Sequence, residues 1–292
     1  MTSEENDPLE KFSQELAFRA LSLTSFAPEC VYHYTSAQGL AGILADHAIR
    51  ATNFTFLNDP TEVQFGRQLV ERELAALVDS TDLTVNTFLA AVSRNLTTRS
   101  LAEVYVASFS SLDDDLSQWR AYGSSLPERY AIGFDAVSLI DLTIAQANAM
   151  YAQVLYRSAQ QRDRIRALLG KATAFIRQEP SAALAIELYA SVAAMHIVRI
   201  LPILKDSTYE SEAEWRLVLW HRENDAPPKI DASRGVLRPY IPFGLGESLP
   251  VVDVNIMAPT RREAAFKAAS ILLHGSGIHG VTPRHSKIPF AD

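Results

Sequence analysis

Cys30-Val31-Tyr32-His33-Tyr34-Thr35-Ser36, with Leu40, Ile43 and Leu44 behind it, is the stretch whose reading decides the fold class. Cys30 to Tyr34 reads as a short strand, and Ser36 opens a helix whose apolar face is Leu40, Ile43 and Leu44. A second short strand follows at Ile49 to Thr52. The strand–helix rhythm stops there. Upstream, Leu9, Phe12, Leu16, Ala17, Ala20 and Leu21 mark a helix from about Pro8 to Leu23. Downstream, Asp59 suits an N-cap, Pro60 the first helical position and Glu62 the capping-box position, so a helix runs from there to about Val78. Another covers roughly Leu83 to Leu96.

Strands then gather at Val104 to Phe109, Tyr130 to Phe134 and Ala152 to Tyr156, with a short helix around Ser117 to Tyr122. A helical region follows from about Gln160 to Ile200, broken near Glu179-Pro180. Strands resume at Trp215 to Trp220, Leu237 to Ile241 and Val251 to Val254. A helix at Arg261 to Leu273 precedes a last strand near Gly280 to Thr282. Strands cluster apart from helices, which predicts an α+β fold rather than a doubly wound sheet. The expected organisation is one domain over 1–292. It has an N-terminal helix in 1–28, a first half of the core in 30–156, a helical insertion in 158–202 and a second half of the core in 205–292.

The chain has 292 residues, 48% apolar and 21% charged, enough for a sizeable core and far from a disordered composition. One cysteine, Cys30, excludes an intrachain disulfide. A net charge of −7 argues against non-specific duplex binding over the whole surface, though not against a local basic cleft. The start MTSEENDPLE is acidic and does not read as a secretory signal. No run reaches the roughly 18 uninterrupted apolar residues of a membrane span. The expectation is a soluble cytoplasmic protein without a membrane partner.

Several signatures of chemistry are absent: a phosphate-binding loop ending in Gly-Lys-Ser/Thr, a dinucleotide fingerprint, a Gly-x-Ser-x-Gly elbow and a zinc spacing. Asp113-Asp114-Asp115 reads as a solvated helix N-terminus, where acids favour the dipole, or as a divalent-cation site. Arg157, Arg162, Arg164, Arg166 and Lys171 read as a solvated helix face or a nucleic-acid-facing one. His274-Gly275-Ser276 follows a helix, and Gly275 reads as its stop.

Three segments remain. Tyr32-His33-Tyr34-Thr35 puts a His and a Thr at a strand end. Ser108-Phe109-Ser110 and Trp119-Arg120-Ala121-Tyr122 put hydroxyls at a strand end and aromatics on a short helix. Glu212-Ala213-Glu214-Trp215-Arg216 puts two carboxylates on one face if the segment is extended. Each alone is compatible with ordinary packing, a backbone-satisfied His or a solvated acidic pair. Together with Leu57-Asn58-Asp59-Pro60-Thr61-Glu62, Gly133-Phe134, Ala258-Pro259 and Ser286-Lys287-Ile288-Pro289, they resemble the bacterial domain-of-unknown-function family 2971 from Tyr32 to Pro289.

The order His33, then Ser108 and Ser110, then Glu212 and Glu214 more distantly resembles ADP-ribosyltransferases of the His-x-Thr type, the DNA-modifying toxins above all. That resemblance implies a split, mainly antiparallel sheet and NAD as substrate. It also implies an acceptor that is nucleic acid, protein or water, in a toxin or anti-phage effector. It assigns His33 to a ribose hydroxyl of NAD, Thr35 to its support, the Tyr34 backbone amide to the carboxamide, and Ser108 and Ser110 to the hydroxyl-rich second motif. Trp119 or Tyr122 would stack on nicotinamide, and Asn58 or Arg50 would face the phosphates or the target. Glu214 would be the catalytic carboxylate that stabilises an oxocarbenium-like state, and Glu212 would orient the acceptor. Two other readings stay open: a non-catalytic nucleotide- or partner-binding module on the same fold, and a metal-dependent phosphodiester enzyme built on Asp113 to Asp115.

Overall fold

The computed structural model describes residues 7–17, 27–57, 59, 61–79, 81–99, 101, 103–121, 127–146, 148–179, 182, 184–232 and 236–289. Among these residues the elements run α1 (Pro8–Leu16), β1 (Cys30–Ser36), α2 (Ala37–Asp46), β2 (Ala48–Asn53), α3 (Thr61–Ala76) and α4 (Leu83–Thr98). Next come β3 (Val104–Ser110), α5 (Leu116–Ala121), β4 (Arg129–Asp135), α6 (Ala136–Ile144), β5 (Ala149–Gln153), α7 (Ser158–Gln178) and α8 (Ile186–Ile200). The chain closes with β6 (Glu214–Trp220), β7 (Lys229–Asp231), β8 (Arg238–Gly244), β9 (Val251–Met257), α9 (Arg262–Gly275) and β10 (Arg284–His285). Two compact units result: Met1–Arg19 with Phe54–Val104 and Val154–Tyr209, and Ala20–Asn53 with Tyr105–Gln153 and Glu210–Asp292.

The second unit is a mixed α/β body on one open sheet, ordered β10-β9-β4-β1-β3-β2-β8-β7, with β6 pairing with β3 and β5. β9 and β10 run parallel, and the other pairs with a described register run antiparallel. Side chains alternate along each strand, so the two faces differ. One face carries Val31, Tyr105, Ala107, Phe109, Ile132, Phe134, Leu217, Leu219, Val254 and Ile256 in one apolar core. The helices covering it contribute Leu40, Ile43 and Leu44 from α2, Leu139 and Ile140 from α6, and Ala265, Ala269 and Leu273 from α9. On the other face Tyr34, Trp119, Ala131 and Met257 form a small cluster, with Tyr32 and Ile288 against it. The same alternation gives this face Ser108, Ser110, Glu214, Arg216 and Asn255, and Ser110, Glu214, Arg216 and Asn255 are buried.

The helical unit holds α1, α3, α4, α7 and α8. Stretch 158–202 lies in it together with segments from far upstream in the chain. Asp59 caps α3, accepting from the Thr61 amide at 2.8 Å and the Thr61 hydroxyl at 2.6 Å. Pro60 lies outside the described residues. Glu62 carries its carboxylate inward to a buried ion pair with Lys205 at 3.2 Å, a tertiary partner stronger than the local capping bond expected of it. Ile186–Ile203 is long and apolar enough to span a membrane by length and composition, and it is 61% buried as the core helix of this unit. The basic positions on α7 are partly spoken for: Arg166 meets Glu73 at 2.5 Å and Lys171 donates to the Glu15 carbonyl at 3.3 Å. Burial draws the Arg164 guanidinium down to about 10.

His196 on α8 is buried and shares a 3.1 Å hydrogen bond with the Ser13 hydroxyl of α1. Burial, then the charges of Arg199 and Arg99, lower its pKa from 6.5 to about 4. Above pH 6.5 the ring is neutral in both folded and unfolded chain and adds no pH dependence. As pH falls from about 6.5 to about 4 the unfolded chain takes up a proton that the folded one refuses. Stability therefore drops by about 3 kcal/mol across that window. Urea titrations at pH 7 and pH 4.5 should show this loss, and His196→Gln should remove most of its slope; an unchanged slope contradicts it.

Sequence reading and structure differ locally. α6 and β7 were not expected. The first helix ends at Leu16 rather than near Leu23, because Ala17 leaves the helical conformation at φ −56 and ψ 125, and 18–26 lie outside the described residues. β5 falls earlier than Ala152 to Tyr156, and the last strand sits at Arg284–His285 rather than Gly280 to Thr282. Helix α9 runs through Gly275, and its stop is Gly277, at φ +76.

Candidate functional site

Strands β1 and β3 pair only at Tyr32↔Ser110. Beyond that point His33 donates from Nδ1 to the Ser108 carbonyl at 2.9 Å, because a carbonyl only accepts. A side chain thus takes the place of a ladder bond, and the two strands part. A narrow cleft lies there, lined by Tyr32, Tyr34, Ser108, Phe109, Gln118, Glu212 and Glu214. It admits about one water molecule in this conformation, so a larger ligand needs the lining to give way. Among its described lining residues none is Lys or Arg.

Glu214 begins β6 and is buried, and Arg216 beside it is 2% exposed. Arg216 grips it with both arms, Nε to Oε1 at 2.7 Å and Nη2 to Oε2 at 2.9 Å. A carboxylate held this way is fixed in orientation, and the ion pair as a whole is close to neutral. The Glu212 backbone is held as firmly. Its carbonyl accepts from the Ser110 hydroxyl at 2.8 Å and from the Gln118 amide at 3.3 Å. The segment is not extended, which corrects the same-face argument for the two acids. Ser207–Glu212 is a 3-10 turn and Ala213 sits at φ +45, a left-handed conformation costly for any residue with a Cβ. Ser111 holds that turn, its amide donating to the Ala213 carbonyl at 3.1 Å. The left-handed residue, not strand alternation, brings both residues to the lining of one cleft.

The remaining expected site residues divide. Tyr34 and Ser108 line the cleft with the two acids. Tyr34 is anchored, donating to the Leu112 carbonyl at 2.8 Å and accepting from the Asp115 amide at 3.2 Å. Burial raises its phenol pKa, and burial followed by the Cys30 contact raises that of Tyr32, so both stay protonated. Ser110 is 1% exposed and works as a clamp on the Glu212 turn. Alternation sends His33 to the apolar face, where its ring packs on Phe109 at 5.7 Å. Thr35 lies on that face too, buried under α2. Its hydroxyl fits only because residue 39 is Gly: a Cβ there would come within 1.9 Å of it.

Trp119 is 1% exposed, edge-on to Tyr34 at 4.8 Å, with its indole N–H on Asp114 at 2.8 Å. Its ring is core and presents no face for stacking in this conformation. Asn58 and Tyr122 lie outside the described residues. Arg50 pairs with Asp231 at 3.4 Å and lies 5.1 Å from the Tyr240 ring centre.

The acids 113–115 each have protein partners. Asp115 caps α5 through the Ser117 amide at 2.9 Å and the Gln118 amide at 3.1 Å. Asp114 also accepts from the Ser286 hydroxyl at 2.6 Å and the Lys287 amide at 2.8 Å, and Asp113 meets Arg284 at 2.9 Å. The helix-terminus reading therefore describes Asp115, while its neighbours strap the C-terminal segment to the sheet.

Tyr32, Gln118 and Arg216 were missed as site residues. The signal for Tyr32 was present, since it lies two residues from Tyr34 and so shares its face. Gly133 makes room for its ring, as a Cβ there would fall 3.0 Å from Tyr32 Cε1.

No curated protein and no solved structure matches the chain. Residues 118–217, from Gln118 on α5 to Leu217 on β6, match the family described as Protein of unknown function (DUF2971), and this stretch includes Glu212 and Glu214.

Proposed function

We propose that the chain is an NAD-consuming transferase similar to ADP-ribosyltransferases, with the β1/β3 cleft as the place where the nicotinamide–ribose bond is cut. The carrying observation is that cleft: two carboxylates, two protonated tyrosines and a serine, with no basic side chain among its described lining residues. Acidic and phenolic groups at the lining itself suit a positive centre, while the Arg216 guanidinium, not among the described lining residues, offsets Glu214. In the reaction the bond between ribose C1′ and the pyridinium nitrogen breaks, and its electron pair leaves with nicotinamide. Positive charge passes to the ribose as an oxocarbenium-like state. Glu214, held in place by Arg216, is the carboxylate beside it. An oxygen or nitrogen of the acceptor then bonds to C1′, and Glu212 at the rim orients it and takes its proton. His33 acts here by holding β3 away from β1.

The test is nicotinamide release by purified protein and by Glu214→Gln and Glu212→Gln. Glu214→Gln should lose at least about 10²-fold in turnover, the size of effect seen when a transition-state electrostatic partner is removed. Glu212→Gln should mainly reduce transfer to an acceptor. Full turnover by a Glu214→Gln protein with wild-type circular dichroism sinks the assignment.

A further inference from the structure

We propose that His274 and His279 form a chelating site for one divalent transition-metal ion of the imidazole-binding class, copper, nickel or zinc. The two rings meet Nδ1 to Nδ1 at 3.1 Å, with centroids 4.6 Å apart, and both residues are exposed. Two nitrogens bound to one ion at about 2.0–2.1 Å would stand about 2.9 Å apart at a right angle and about 3.3 Å apart at a tetrahedral one. The observed spacing falls between these values, so the rings need only turn to admit an ion.

The backbone fixes that spacing before any metal arrives. Helix α9 ends in a reversal about Gly277, whose φ of +76 a glycine adopts without strain. The Gly277 amide donates to the His274 carbonyl at 3.1 Å and the Ile278 amide to the Leu273 carbonyl at 3.0 Å. Ile278 packs against the apolar core and pins the turn from below. His279 is thereby returned over the last helical turn to face His274, leaving little chain entropy to lose on chelation.

In the metal-free pair one Nδ1 carries a proton and the other accepts it. Binding moves that proton to Nε2 of the same ring, which frees both Nδ1 lone pairs for the ion. Among the described residues no third His, Cys, Asp or Glu completes a cluster, so solvent fills the remaining positions. Nitrogen ligands with open positions favour copper over nickel and zinc.

The test is Cu2+ binding to the full chain at pH 7.5, followed by calorimetry and electron paramagnetic resonance, for wild type, His274→Asn and His279→Asn. Both positions are exposed, so the variants should fold as wild type does. The expected result is one Cu2+ per chain with coupling to two nitrogens, and about 10²-fold weaker binding when either ring is lost, because chelation becomes single-point attachment. No such site in the wild type, or either variant binding Cu2+ as tightly as wild type, overturns it.

Discussion

Arg216→Met should lower the unfolding free energy by about 3–5 kcal/mol, because it leaves the Glu214 carboxylate buried without its guanidinium. Arg216 is 2% exposed and engages both carboxylate oxygens, so neither water nor rotation of the acid replaces the lost contacts readily. Replacing both residues with Met should recover most of that loss, since a buried pair exchanged for apolar side chains of similar volume is often neutral or stabilising. Urea titration measures both quantities. The double variant also separates two roles of the pair. If the pair served the fold alone, the double variant would keep whatever NAD turnover the wild type has. The proposed chemistry requires it to be folded and inactive. A single Arg216→Met variant as stable as wild type would show that the carboxylate is not dependent on its partner.

A loss of similar size is expected in the helical unit from Phe12→Ala. Phe12 is fully buried, and its ring lies 5.0 Å from Phe175, 5.1 Å from Tyr189 and 6.5 Å from Phe88. It is the aromatic contact by which the nine-residue helix α1 meets α4, α7 and α8, beside the Ser13–His196 and Glu15–Lys171 bonds. Truncation removes the ring's transfer free energy and leaves a void among three aromatic neighbours, at a cost of about 3–5 kcal/mol. That is a large part of the about 5–15 kcal/mol that holds an ordinary domain. Urea denaturation should show a clearly lower midpoint, and Phe12→Leu should recover part of it. A midpoint shift worth less than about 1 kcal/mol would mean that α1 does not depend on this ring.

The elements were legible where one physical signal dominated. Ser36 caps α2 as its position indicates, accepting from the Gly39 amide at 3.1 Å, and β1, β3, β4, β6 and β9 fall on the apolar runs that marked them. Helix α6 escaped because Ala136-Val137-Ser138-Leu139-Ile140 follows a strand with no break in apolarity, and only the Asp135 cap, accepting from the Ser138 amide at 2.8 Å, separates them. Glu62 shows the limit of local rules, since its sequence position fits a capping box while Lys205, far along the chain, decides its direction.

The site was half legible. Residue order brought Tyr34, Ser108, Glu212 and Glu214 together as candidates, and the cleft contains all four. Alternation along β1 was available in the sequence and sends His33 and Thr35 to the face opposite Tyr34. No pattern announced that Ala213 would adopt a left-handed conformation, because nothing in its side chain favours one. Nor does spacing reveal that Trp119 is buried edge-on against Tyr34 and does not line the cleft.

The most direct measurement is nicotinamide release from NAD by wild-type protein, alone and with DNA, RNA or cell lysate. The expected result is release, stimulated by whichever class supplies the acceptor and lost in Glu214→Gln. No release under any of these conditions, from protein shown to be folded, would contradict it and leave the cleft as a binding site without chemistry.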